Sequence, residues 1–446
     1  MTFQDLNLNK QLLNALDDLG LTTPTTIQEK VFSVVMSGRD VCGIAQTGTG
    51  KTLAYLLPCL RHYQFSKEKL PQLLILVPTR ELVVQVVDTI KQLSTYLNLT
   101  VVGIYGGVNT KTQIAEVQAG VDVLVATPGR LIDLTSVGVL KLKNVKRIVI
   151  DEVDEMLNLG FRPQLTRILD VLPPKRQNLL FSATLSEEVE GLLDSYFVNP
   201  VRVEAAPVGT PLQNIDQTAY AVPNFHSKVN LLEALLYRNT DLSRVLVFTA
   251  TKQLADDLFE VLQPRLKDED TITVIHSNKS QNHRFESVQQ FQTGHCRVLI
   301  ATDIIARGLD IADVSHVINF DLPEEPETYI HRIGRTGRAD KRGTAISFIT
   351  DGDQDYQAAI ESLMNYAIPL LPLPKGLIIS DELTEHEQPK VVMKNVGVKP
   401  TRPEEGGGAY HDKIDKNKKV NVRRDYEAEK RRKYGKPIRK TRPNNG

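Results

Sequence analysis

The sequence predicts an α/β protein with two parallel-sheet domains in tandem, followed by a basic, disordered arm. Three observations predict it. Short apolar, β-branched runs recur along the chain and end abruptly in polar or glycine-rich residues. Helix-length amphipathic stretches, such as residues 81–97 and 252–266, lie between most of these runs. After about Leu373 the alternation stops and the composition turns basic. Continuous apolar runs alternating with helices are the pattern of βαβ units around a sheet buried on both faces.

Taken in order, the expected strands of the first half are residues 40–45, 73–77, 101–104, 122–126, 147–150 and 178–181. Those of the second half are 245–248, 272–275, 298–301, 316–319 and 344–348. The break between the series falls at Ala205-Ala206-Pro207-Val208-Gly209-Thr210-Pro211, a Pro/Gly-rich linker. The expected division is a first domain over 1–206, a linker over 207–211, a second domain over 212–373 and a tail over 374–446.

The whole chain carries 54 basic and 54 acidic residues, a balance that by itself argues against a nucleic-acid partner. The signs are unevenly spread, however. Residues 389–446 hold 18 Lys/Arg and 7 Asp/Glu, net +11, which leaves −11 on the other 388 residues. Glu404-Glu405-Gly406-Gly407-Gly408 and the Lys/Arg clusters that follow hold too few apolar residues to build a core. No run approaches the 18 or so apolar residues of a membrane-spanning helix, so no membrane partner is expected. The start of the chain lacks a signal-peptide pattern, and three scattered cysteines form neither a disulfide framework nor a zinc site. A cytoplasmic protein is expected.

Ligands of open parallel sheets bind beyond the carboxyl ends of the strands. After the first strand comes Ala45-Gln46-Thr47-Gly48-Thr49-Gly50-Lys51-Thr52, a P-loop with alanine in its first glycine position. Glycines let successive backbone N–H groups turn onto phosphates at the positive end of the next helix. Lys51 is then placed to neutralise β/γ-phosphates, and the Thr52 hydroxyl to ligate Mg²⁺. The run 147–150 ends in Asp151-Glu152-Val153-Asp154. A carboxylate there is costly unless a cation faces it, which gives Asp151 the Mg²⁺ of a bound ATP and Glu152 the attacking water. In the second half, His331-Arg332-Ile333-Gly334-Arg335-Thr336-Gly337-Arg338 supplies arginines able to stabilise charge on a γ-phosphate, provided the two domains close.

With these motifs in this order, the chain resembles DEAD-box ATP-dependent RNA helicases, of the bacterial RhlE-like type, from about Phe3 to Ile349. The resemblance implies two RecA-like domains. It gives Gln28, in Gly20-Leu21-Thr22-Thr23-Pro24-Thr25-Thr26-Ile27-Gln28, the adenine edge, and has Phe3 pack on the base. It implies RNA contacts at Pro78, Thr79, Arg80, Gly106, Gly107, Thr127 and Arg130 in the first domain. In the second it implies them at Thr251, Arg284 and Thr302, close to Asp303. Ser182 and Thr184 of Ser182-Ala183-Thr184, with His331, would couple hydrolysis to strand separation. Gly308 and Asp310 would hold the ribose, and Arg335 and Arg338 would reach the γ-phosphate. Small hydroxyls, glycine N–H groups and a few arginines suit sugar–phosphate contacts without sequence preference. Val153 stands where the family name has alanine, and Thr26, Val83, Ile305 and Phe320 are also non-typical; none of them removes a functional group.

The expected activity is RNA-dependent hydrolysis of ATP that locally separates short duplexes or remodels RNA–protein complexes. Ribosomal or RNA-decay proteins are conceivable partners. The rival readings are a DNA-directed helicase of the same architecture and an ATP-gated RNA clamp or annealing chaperone.

Overall fold

A computed structural model describes residues 1–45, 48–204, 214–238, 241–266, 272–303, 311, 314–337, 342–384 and 387–388. The first domain contains strands β1 (Val41–Ile44), β2 (Leu73–Leu76), β3 (Val101–Ile104), β4 (Val123–Ala126), β5 (Arg147–Ile150), β6 (Gln177–Ser182) and β7 (Val201–Glu204). The second contains β8 (Ile215–Ala221), β9 (Val245–Phe248), β10 (Ile272–Ile275), β11 (Val298–Ala301), β12 (His316–Asn319) and β13 (Gly343–Ile349). The strand orders are β3-β4-β2-β5-β6-β1-β7 and β10-β11-β9-β12-β13-β8. Every pairing within both sheets is parallel.

Alternation along each strand feeds two cores. Val41, Ile75, Val149, Leu179 and Phe181 pack on one face of the first sheet, while Cys42, Ile44, Leu74, Ile148 and Leu180 pack on the other. With both faces covered by helices, neither set can be polar, which is why these strands read as unbroken apolar runs. All eleven expected strands form. Two further edge strands had no such run: β7 and β8 alternate buried with exposed residues, because only one face of each is covered.

Five side-chain hydrogen bonds fix the β6–β1 side of the first sheet. Asp40, just before β1, accepts from the Asn178 backbone N–H at 2.8 Å, the Asn178 side-chain amide at 3.0 Å and the Val198 N–H at 2.9 Å. Gln177 donates to the carbonyls of Val35 and Arg39 at 2.9 and 2.8 Å. These hold β6 against β1, and Ser182 at the end of β6 against Ala45 at the start of the P-loop.

The expected tail boundary needs correction. Residues 374–384 and 387–388 form a strap along the helix Phe225–Arg238 instead of a disordered lead into the arm. The carbonyls of Lys375 and Ile378 accept from Arg238 and Asn230 at 3.0 and 2.9 Å. The Ser380 N–H donates to the Ser227 hydroxyl at 2.9 Å, and Glu387 accepts the Phe225 N–H at 2.6 Å. Leu373 and Leu377 pack on the core beneath. The linker 207–211 and the segment 389–446 lie outside the described residues. Among the described residues, no helix is long and apolar enough to cross a membrane.

Candidate active site

The P-loop leaves the carboxyl end of β1, and Asp151 leaves that of β5; β6, with Ser182 at its end, runs between them. Gly48 and Gly50 have φ of +85° and +88°, the left-handed turn that the loop needs before the helix Lys51–Arg61. Gln46 and Thr47 lie outside the described residues. Lys51 is 6% exposed, and its Nζ is buried with no hydrogen-bond acceptor among the described residues. A buried ammonium of this kind is costly unless an anion joins it. Thr52 follows on the first turn of the same helix.

The upstream element braces this loop. Gln28 accepts the Thr25 N–H at 2.9 Å and donates through Nε2 to the Gly50 carbonyl at 3.2 Å. The Thr25 hydroxyl donates to the Thr49 carbonyl at 2.8 Å. A side chain at Gly50 would collide with the Gln28 amide, so the contact requires glycine there. Phe3 is buried in the core below the loop, beside the helix Thr26–Met36. Sequence reading assigned Gln28 to a base and did not foresee that its amide also fixes the loop.

At the end of β5, Asp151 accepts the Glu152 N–H at 3.0 Å. Burial raises its carboxyl above the ordinary range, and Lys51 partly offsets this. Glu152 takes a left-handed conformation, φ +52°, which is strained for a residue with a side chain. Burial, against the pull of Lys51, pushes its carboxyl up to about 8. Asp154 is the hub that sequence reading left without a role: one of its oxygens accepts from the Ala183 N–H, the Thr184 N–H and the Thr184 hydroxyl at 3.0, 3.1 and 3.2 Å. Burial opposes its ionisation, yet His331, Lys51 and these donors hold it below the usual carboxylate range. Thr184 is thereby joined to the acidic motif, and Ser182 lies beside it.

The cleft beside these groups is lined from both domains. Lys51, Glu152, Asp154 and Ala183 meet His331 and Arg335, which sit at the end of the helix Pro326–Ile333. Arg332, inside that helix, does not reach the cleft. It forms a bidentate pair with Asp303 at 2.6 and 2.8 Å, donates to Asn319 and to the Asp321 carbonyl, and stacks over Phe248 at 5.0 Å. Of the motif's three arginines, one is therefore an anchor, and Asp303 beside Thr302 is its partner. Arg338, Gly308 and Asp310 lie outside the described residues.

The residues expected at RNA fall into two kinds. Thr79 and Thr251 cap the helices Arg80–Leu93 and Lys252–Leu262, accepting the N–H of Leu82 and Leu254 at 3.3 and 3.2 Å. Gly107, with φ +82°, lies under the Arg80 guanidinium, close enough that a side chain there would clash. Pro78, Gly106, Thr127 and Thr302 stand at strand ends as expected. Arg130 and Arg284 are different. Arg130 is buried and donates to the Tyr105 and Val108 carbonyls at 3.1 and 3.2 Å and to the Thr110 hydroxyl at 2.6 Å. Arg284 is buried in an ion pair with Glu81 of the first domain at 2.6 Å. Arg130 thus holds the Gly106-Gly107 loop from its flanks, and Arg284 links the domains.

The chain matches the family described as "DEAD/DEAH box helicase" over residues 25–192 and that described as "Helicase conserved C-terminal domain" over 227–340. It is 42% identical over 354 residues to "DEAD-box ATP-dependent RNA helicase 24" of Oryza sativa subsp. japonica, covering 78% of this chain and 46% of that protein. The chain thus spans about half the length of that relative. It is 40% identical over 373 residues to "RNA helicase CrhR" of a Synechocystis strain, covering 84% of this chain and 75% of the relative. Among solved structures, "S. cerevisiae Dbp5 bound to RNA and ADP BeF3" is similar with a TM-score of 0.75 at 30% identity, covering 83% of this chain and 96% of that one. Both sheets are thereby of the RecA-like kind expected. With relatives matched across both domains, the chain belongs to the family of DEAD-box ATP-dependent RNA helicases.

Proposed function

We propose that the chain hydrolyses ATP to ADP and phosphate when RNA is bound, and uses closure of its two domains to open short duplexes locally or to displace bound protein. The carrying observation is the two-sided cleft: Lys51 and Glu152 come from one domain, His331 and Arg335 from the other. Lys51 would meet the β/γ-phosphates, and Arg335 would face charge developing on the γ-phosphate. Glu152, held near neutral pH by its surroundings, suits the transfer of a proton from the attacking water. Thr52 and Asp151 are hard oxygen donors with a single carboxylate, the set Mg²⁺ takes when phosphates complete its shell. Bound there, Mg²⁺ would supply charge neutralisation at the β- and γ-oxygens. Asp154 would carry the state of the cleft to Ser182 and Thr184.

RNA would lie along the strand-end loops as backbone, positioned by Thr79, Arg80, Gly106, Gly107, Thr127, Thr251 and Thr302. Arg130 and Arg284 support that surface from behind. The cytoplasm is the compartment we propose, and ribosomal or RNA-decay proteins are the partner classes. Glu152→Gln keeps the shape and removes the base. It is expected to bind ATP and RNA normally while RNA-stimulated phosphate release falls at least about a hundredfold. Undiminished phosphate release from this variant would remove Glu152 from its role.

A further inference from the structure

Tyr55 lies one turn beyond Lys51 on the P-loop helix and is fully buried. Its ring tilts against Phe181 with centroids 5.3 Å apart, so the aromatic body has its packing partner within the core. The hydroxyl is another matter. It is buried and makes no well-aligned hydrogen bond among the described residues. Its polar neighbours are the Asp151 carboxylate and the Thr52 hydroxyl. Phenylalanine would fill the same space without leaving a hydroxyl unpaired, so packing alone does not ask for tyrosine. Among the described residues, the backbone donor to Asp151 is the Glu152 N–H, on Oδ1. A carboxylate held by a single bond can still rotate, and a second donor would fix it.

We propose that Tyr55 is a positioning residue for the metal pair: its hydroxyl donates to Asp151 and fixes the rotamer in which that carboxylate, with Thr52, receives Mg²⁺. The inference rests on the reading of Thr52 and Asp151 as metal ligands. A phenol hydroxyl facing an ionised carboxylate acts as the donor, because the carboxylate only accepts. Partners that orient a metal ligand commonly change metal affinity by tenfold or more when removed.

The test uses the full chain, a fluorescent ATP analogue and a Mg²⁺ titration, comparing wild type with Tyr55→Phe. The variant is expected to need about tenfold more Mg²⁺ for half-maximal analogue binding. Its affinity for the analogue in EDTA and its thermal midpoint are expected to match or exceed those of wild type, and saturating Mg²⁺ is expected to restore turnover. An unmoved Mg²⁺ midpoint in a folded variant would overturn the proposal. So would a lower thermal midpoint with unchanged Mg²⁺ dependence, since Tyr55 would then be a packing residue. If wild-type binding ignored Mg²⁺, the metal reading itself would fall, and Tyr55's role with it.

Discussion

Glu152 joins two costs at one residue: a left-handed backbone and a carboxyl whose pKa is raised to about 8. In the unfolded chain a glutamate ionises near 4.3. Between that value and about 8 the folded state therefore holds a proton that the unfolded state has lost. Stability from this group is full below about 4.3 and is lost as pH rises through about 8. Glu152→Gln has no such proton to lose. Its thermal midpoint minus that of wild type is accordingly expected to grow as pH is raised from 4.5 to 8 and then level off. A flat difference would show that the carboxyl ionises normally in the fold. Residues in the loops that follow strand ends, such as Lys51, Asp151 and Glu152, were legible because strand ends are visible in the sequence. Arg130 and Arg284 were not, because their partners lie 20 to about 200 residues away and a lone arginine carries no mark of burial.

Elements were legible to the degree that both their faces were buried. The central strands announce themselves as apolar runs; β7 and β8 sit at the sheet edges and need only one apolar face. The strap that follows Leu373 escaped for a related reason. Much of its attachment is hydrogen bonding to the helix Phe225–Arg238, through its own carbonyls, the Ser380 N–H and the Glu387 carboxylate. Such bonds leave little trace in hydrophobic patterning. Ile368, at the entry to the strap, is buried in the core beneath the helix Gln354–Met364. Truncation after Gln388 should leave the denaturant midpoint of the second domain unchanged. Truncation after Met364 strips Ile368, Leu373 and Leu377 from the core and is expected to cost at least about 2 kcal/mol. Equal midpoints for the two truncations would mean that the strap contributes nothing to stability.

At the scale of the whole molecule, the two domains meet through charge. Glu81 and Arg284 form a buried pair across them, and His331 and Arg335 stand opposite Glu152 and Asp154. Removing one partner of a buried pair strands the other, at about 3–5 kcal/mol. Glu81→Gln is thus expected to weaken RNA binding in the presence of a non-hydrolysable ATP analogue, by at least about tenfold, and to leave analogue binding without RNA unchanged. The zero net charge of the chain conceals a separate electrostatic contribution, since residues 389–446 carry +11. The strand-end loops proposed to contact sugar and phosphate would account for RNA binding without this segment. Its charge is instead expected to add a sequence-independent attraction to phosphates, driven by released counterions and so sensitive to salt. Each phosphate neutralised on a single strand contributes about 0.7 to the slope of log affinity against log salt. If four are engaged by the arm, deleting Pro389–Gly446 should flatten that slope by about 3 while RNA-stimulated ATP hydrolysis at saturating RNA stays the same. A slope indifferent to the deletion would leave the strand-end loops as the whole of the RNA-binding surface.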